Sequence, residues 1–300
     1  MNIDFERALG AYLGLACGDA LGAPVEFMTR TEILARHGEL RRMVGGGWLK
    51  LAPGQITDDT QMALALARAI IAGDGFDATL AAEQFAAWLQ TKPIDVGNTC
   101  RRGIRRYMLD GSLSGPPAEG DAGNGACMRN LPLALATLGD AGQFARATLS
   151  QCHLTHHHVL SDAATVTLGA MTQALILGED LEVARAMADD LVARHRQFRF
   201  APYPGRASAY IVDTVQTVLH CLFTTTSFEE CVVAAVNQGD DADTNGAIAG
   251  MLAGARYGRA AIPRHWTAQL EGNVAATIEA QTRALIALSP AAHSDAGTVG

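Results

Sequence analysis

Two short stretches of this chain crowd carboxylates and hydroxyls together. Asp240-Asp241-Ala242-Asp243-Thr244 packs three carboxylates and a hydroxyl into five residues between apolar segments, and Thr57-Asp58-Asp59-Thr60 has the same chemistry far upstream. Like charges at this density repel one another unless a cation sits among them. Both stretches precede alanine-rich helical runs, Gln61 to Ala72 and Ala247 to Tyr257. Both therefore read as helix N-termini, where Asp and Thr satisfy unpaired N–H groups and the dipole favours negative charge. Ordinary capping is one interpretation. Convergence on one point is the other, and it makes an all-oxygen site for one or two hard divalent cations, Mg²⁺ or Mn²⁺.

Further polar motifs are weaker alone. Gly123-Asn124-Gly125 opens a helical run, Ala126 to Leu138, interrupted near Pro132. Bare N–H groups before a helix can cradle a phosphate, and an ordinary loop has the same look. Thr155-His156-His157-His158 suggests zinc, but adjacent residues do not share a helix face, so one ligand-facing histidine is the reasonable expectation. Arg101, Arg102, Arg105 and Arg106 form two i,i+4 pairs after the polar turn Asp95-Val96-Gly97-Asn98-Thr99. They are either a solvated face or a docking patch for an acidic partner.

The elements that must position these groups are helical. Phe5 to Leu21 is rich in small residues, including Gly10, Gly14 and Gly18, and is followed by Asp19 and Glu26 at its end. Glycine weakens a helix, so its abundance implies close approach of a backbone or ligand. Ala81 to Leu89, Leu181 to Phe198 and Tyr210 to Leu222 read as helices, and Ser161 caps one reaching Leu177. Ser227-Phe228-Glu229-Glu230 is a capping box for a helix up to Val236. Trp266 to Leu288 reads as a last helix and 289–300 as a frayed tail. No run alternates as a strand does, and no fixed repeat occurs. The expectation is one all-α domain over 1–300.

Composition narrows the function classes. Hydrophobic residues are 49% but aromatics only 6%, which favours closely packed helices over a β-sandwich. A net charge of −8 argues against a nucleic-acid partner. The six cysteines are scattered without a C-x-x-C pair, as in small buried side chains of a reducing compartment. The N-terminus lacks a basic n-region. Arg68, Asp162 and Asp213 are expected to break the apolar runs before spanning length, leaving no transmembrane segment.

Gly18-Asp19-Ala20-Leu21-Gly22 with Glu26, 54–60, 95–103, 120–125, Thr155-His156, 210–214 and 236–246 follow one another over nearly the whole chain. In these motifs and their order the sequence resembles the ADP-ribosylglycohydrolases, and within them the branch that reactivates dinitrogenase reductase. The resemblance implies an all-α fold with a dimetal centre, Mn²⁺ or Mg²⁺, in a central cleft. It implies Thr57, Asp58, Asp59, Asp241, Asp243 and Thr244 as ligands, with Glu26 close by. It places Asn98, Gly123, Asn124, Gly125, His156 and Tyr210 around ADP-ribose. The implied reaction is hydrolysis of the bond between ADP-ribose and a protein arginine, with Asp95 and Glu26 as catalytic carboxyls. Asp95 either caps the arginine-rich helix or orients the leaving guanidinium. The implied setting is cytoplasmic regulation of nitrogen fixation, with a nitrogen-signalling regulatory protein as a further partner and recruitment to a membrane through a partner. The family usually has glycine at the position of Asp240, and Asn245 replaces a commoner small hydroxyl residue; little is expected from the latter. Two rivals remain: a non-catalytic ADP-ribose-binding protein, and a Mg²⁺-dependent all-α enzyme of isoprenoid-synthase type.

Overall fold

The computed structural model describes residues 3–294, and its regular elements are all helical. In chain order they are α1 (Phe5–Gly22), α2 (Arg30–His37), α3 (Asp58–Ala72), α4 (Ala78–Gln90), α5 (Asn98–Asp110), α6 (Leu131–Ala136), α7 (Ala141–His153) and α8 (Val159–Ile176). They continue as α9 (Leu181–Arg194), α10 (Ile211–Thr224), α11 (Phe228–Val236), α12 (Ala242–Tyr257), α13 (Arg264–Gln269), α14 (Val274–Leu288) and α15 (Pro290–Ser294). Among the described residues strand pairing is confined to isolated bridges such as Gly123 with Tyr210. The all-α expectation holds.

The core is built on α1 and α12. Asp4 starts α1 by accepting the N–H groups of Glu6 and Arg7. Gly10, Gly14, Gly18 and Gly22 then fall on one face, four residues apart. A Cβ at these positions would lie 2.6, 2.2, 2.0 and 2.3 Å from the carbonyl oxygens of Gly254, Gly250, Gly246 and Ala242. The two helices therefore run antiparallel, backbone against backbone. This geometry sets the C-terminal end of α1, with Asp19 and Glu26, beside the N-terminal end of α12, with Asp241 and Asp243. α14 packs on the same centre: Tyr12 Oη donates to Gln281 Oε1 at 3.0 Å, and Gln281 Nε2 donates to Leu64 O of α3 at 3.1 Å.

Several local expectations are corrected. Trp266 to Leu288 is broken between α13 and α14, where Gly272 has φ +52°. The break lets Glu271 N–H donate to Gly54 O (3.0 Å) and its carboxylate accept from Ile56 N–H (3.3 Å), fastening the loop before α3. Ser161 lies inside α8; the cap is His158, whose Nδ1 accepts the Leu160 N–H. The frayed tail does not begin at 289: Ser289 is buried and Ala291 N–H donates to Leu138 O at 2.8 Å, while 295–300 lie outside the described residues. Phe5–Val25 and Val159–Ile176 are long and apolar enough to cross a membrane, each with mean hydropathy 1.3, contrary to the expected interruptions. Both are packed inside the protein, the first wholly. α2 and α7 were not expected; α2 opens on a reciprocal Thr29–Glu32 capping box.

Candidate metal centre and cavity

Asp19 organises the first acidic cluster. Fully buried near the end of α1, it accepts the N–H and Oγ1 of both Thr57 and Thr60, with the hydroxyls at 2.8 and 2.5 Å. The N-terminus of α3 is thus capped from another helix, and Thr57 makes no side-chain cap of its own. Asp58 and Asp59 are released from that duty. Asp58 Oδ2 instead accepts Gly97 N–H at 3.1 Å. Asp59 Oδ1 is buried with no hydrogen-bond partner among the described residues. The second cluster behaves alike: Asp241 occupies the cap position of α12 without capping it, and its Oδ2 accepts Asn124 Nδ2 at 2.5 Å. Simple helix capping does not account for either stretch.

The two clusters meet. Thr244 Oγ1 lies 3.4 Å from Asp59 Oδ2, and one oxygen each from Glu26, Asp241 and Asp243 lies within 4.8 Å of the others. Glu26 is held by the Trp48 indole, whose Nε1 donates to Oε2 at 2.7 Å. Burial, reinforced by neighbouring carboxylates, pushes the carboxyl of Asp58 up to about 7 and that of Glu26 to about 8. Burial outweighs the hydrogen bonds at Asp19 and Asp241, which rise to about 6. Asp59 and Asp243 rise well above the carboxylate range for the same first cause. No Lys or Arg forms an ion pair with these groups among the described residues. Oxygen donors, crowded charge and an orphaned buried carboxylate oxygen together fit a hard divalent cation.

The clusters open into a cavity of about 640 Å³. Asp58, Asp59, Asp241, Asp243 and Thr244 line its buried part, with Asn124 and His156. Asp95, Asn98 and Arg101 line its more open side, with Phe27 and Trp48, whose rings are 5.4 Å apart and largely exposed. Thr57 stands behind: its hydroxyl donates to Asp19 and lies 3.4 Å from Asp59. Asp95 does not cap α5; the cap position is Gly97, and Asp95 Oδ1 accepts the neighbouring Val96 N–H. Burial raises its carboxyl, opposed by that hydrogen bond and by Arg101.

Other expected site residues are placed as follows. His156 faces the cavity, His157 reaches the Gly115 carbonyl, and His158 caps α8. The space that Gly123 and Gly125 leave open is filled by His156: a Cβ on Gly125 would be 2.8 Å from its Cε1. Tyr210 pairs through its backbone with Gly123, and it lines a second cavity of about 350 Å³ with His158 and His195. Asp240 adopts φ +59°, the left-handed region that favours glycine and that Asp tolerates. There its carbonyl accepts Phe27 N–H at 2.6 Å and its N–H donates to Met28 O at 2.7 Å, anchoring the turn that carries Glu26. Asn245 does more than expected, its Nδ2 binding the carbonyls of Ala207 and Asp241 at 2.6 and 2.7 Å. Of the arginines, Arg101, Arg102 and Arg105 are exposed, Arg102 pairing with Asp121, while the half-buried Arg106 donates to Leu154 O. Trp48 was missed from sequence; its only signal is an aromatic after three glycines in an aromatic-poor chain.

Comparison with known proteins gives the family. The sequence pattern of the ADP-ribosylglycohydrolase family matches residues 1–294. An ADP-ribosyl-[dinitrogen reductase] glycohydrolase of Rhodospirillum rubrum is 56% identical over 284 residues, covering 95% of this chain and 97% of that protein. The ADP-ribosylarginine hydrolase Tri1 of Serratia proteamaculans is 33% identical, covering 88% and 75%. A solved structure described as an ADP-ribosylglycohydrolase-related protein complex superposes with TM-score 0.85 at 33% identity, covering 96% of this chain and 99% of that one. The chain belongs to the ADP-ribosylglycohydrolase family.

Proposed function

We propose that this chain hydrolyses the N-glycosidic bond between ADP-ribose and an arginine of a modified protein, and that this protein is dinitrogenase reductase. The buried acidic cluster carries the proposal: it opens into a ligand-sized cavity, in a chain 56% identical to a glycohydrolase named for that substrate. The similarity to an ADP-ribosylarginine hydrolase supports the same bond.

Asp58, Asp59, Asp241 and Asp243, with the hydroxyls of Thr57 and Thr244, would hold one or two divalent cations, Mn²⁺ or Mg²⁺. Such cations supply Lewis acidity toward ribose hydroxyls and water. Asn98, Asn124, His156 and the backbone of Gly123 and Gly125 would seat the ADP-ribose. As the C–N bond breaks, positive charge builds on the ribose, and the surrounding carboxylates stabilise it. Water oxygen bonds to the anomeric carbon, the C–N electron pair leaves with the guanidine, and the proton that water loses ends on that nitrogen. Asp95 and Glu26 would carry this proton. A planar guanidinium pairs well with a carboxylate, so Asp95 also orients the leaving group.

The test is turnover by the purified chain of ADP-ribosylated dinitrogenase reductase and of ADP-ribosyl-arginine, with Mn²⁺ or with excess chelator. Both substrates are expected to be cleaved, and chelation to abolish cleavage. Full activity in chelator refutes the cation assignment. Cleavage of the small substrate alone refutes the protein assignment.

A further inference from the structure

Arg129 is fully buried and, among the described residues, is held without a carboxylate partner. Its Nε donates to Gln151 Oε1 at 2.9 Å and its guanidinium lies 4.6 Å from the centre of the Phe85 ring. Its Nη2 donates to Thr155 Oγ1 at 2.7 Å. A guanidinium offers no acceptor, so the hydroxyl must accept in that contact. The single hydroxyl proton then has one partner, His156 Nδ1, 2.8 Å away. Nδ1 therefore presents its lone pair to Thr155.

Burial, and after it the charges of Arg129 and Arg102, drives the His156 pKa well below the ordinary histidine value. The ring is neutral, and with Nδ1 accepting, its one proton sits on Nε2. Nε2 makes no hydrogen bond among the described residues. It lies against Gly123, where a Cβ would come within 3.1 Å of it, on the cavity wall.

We propose that Arg129 and Thr155 lock His156 as the Nε2–H tautomer, so that it enters the cavity as a fixed hydrogen-bond donor to an anionic group. Resting on the function proposed above, that group is the diphosphate of ADP-ribose. Arg129 and Thr155 are positioning residues: neither lines the cavity, and both act through the imidazole. The opposite tautomer would turn a lone pair toward the phosphate oxygens and repel them.

The relay is read directly from the ring nitrogens of the full chain labelled with ¹⁵N-histidine, without ligand, near neutral pH. His156 is assigned by its disappearance in His156→Gln. The expected result is Nε2 protonated and Nδ1 bare in the wild type. In Thr155→Val that preference is lost and ADP-ribose binds about tenfold more weakly, the scale of one hydrogen bond to a charged group; Thr155→Ser restores both. A wild-type ring protonated on Nδ1, or on both nitrogens, overturns the lock even if Thr155→Val fails to fold. An unchanged tautomer in a folded Thr155→Val also overturns it. Loss of the tautomer with unchanged ADP-ribose affinity overturns the donor role. Failure of the wild-type chain to bind ADP-ribose at all counts against the proposed function instead.

Discussion

Gly250→Ala sets two effects of opposite sign against each other. In an isolated helix the change gains about 1 kcal/mol, because alanine is the better helix former. Here the new Cβ would lie 2.1 Å from Gly14 O and 2.6 Å from Gly14 C, both backbone atoms of α1. Neither can rotate away, so α1 and α12 must separate by about 1 Å to reach ordinary contact. Overpacking of this kind costs about 1–3 kcal/mol. Rigid backbone places the cost at the upper end of that range, about 3 kcal/mol, so after the helix gain the net expectation is a loss of about 2 kcal/mol, or a fall of some 4 °C in Tm for a chain of this size. The assay is denaturant unfolding in excess chelator, which removes any contribution of bound cation. Gly142→Ala is the control: it lies exposed in the first turn of α7, where a Cβ would meet only side-chain ends of Arg146 and Asp140 at 3.2 and 3.4 Å. It should lose nothing. A Gly250→Ala protein as stable as the wild type, or more so, would refute the backbone-contact account of the seam.

The pH dependence of the chelated protein has a definite sign. Folded carboxyls at about 6 (Asp19, Asp241), 7 (Asp58) and 8 (Glu26) stand above an unfolded value near 4, so their stabilisation is complete below about pH 4 and is lost as pH rises through these values. Chelated protein should melt higher at pH 5 than at pH 8, with Mn²⁺ restoring stability chiefly at pH 8; a flat or rising chelated profile would count against this. Asp95→Asn should keep folding and Mn²⁺ content while slowing ADP-ribosyl-arginine cleavage about 10²-fold, a normal loss for a proton-transfer group; an unchanged rate returns Asp95 to a structural role. Trp48→Phe keeps an aromatic ring beside Phe27 but removes the N–H that holds Glu26, so kcat should fall about tenfold, with ADP-ribose affinity unchanged. Equal losses in kcat and affinity would show that the ring, and not the hydrogen bond, matters.

Much of the helical plan was legible because its signals are local. The small-residue face of α1, the Ser227 cap of α11 and the polar starts of α3 and α12 all lie within a few residues of what they specify. The acidic clusters were legible for the same reason. What stayed hidden depends on contacts between residues distant in the chain. The cap of α3 comes from Asp19, 38 residues away from Thr57, and frees Asp58 and Asp59 from capping their own helix. The glycines of Gly123-Asn124-Gly125 gave no hint that the space beside Gly125 is filled by an imidazole from 31 positions further on. Tyr210 belongs to a family-like motif, yet nothing in the sequence announces that its backbone joins the Gly123 loop or that it borders a second cavity. The break before α14 serves Gly54 and Ile56, far upstream, and no periodicity within the helix announces it.

The antiparallel seam also dictates when the protein can first exist as an enzyme. α1 leaves the ribosome long before α12, and its glycine face has no partner until residues 242–257 follow it. At ordinary rates of synthesis, roughly 5–20 residues per second, that is a wait of roughly 10–50 s. For that interval the nascent chain holds Asp19, Glu26, Asp58 and Asp59 without Asp241 and Asp243. It exposes a 21-residue segment of mean hydropathy 1.3 whose natural cover has not been made. Closure of this pair is therefore a late event joining segments far apart in the chain, and a chain cut short before α12 is left with half of the acidic cluster and an uncovered apolar helix.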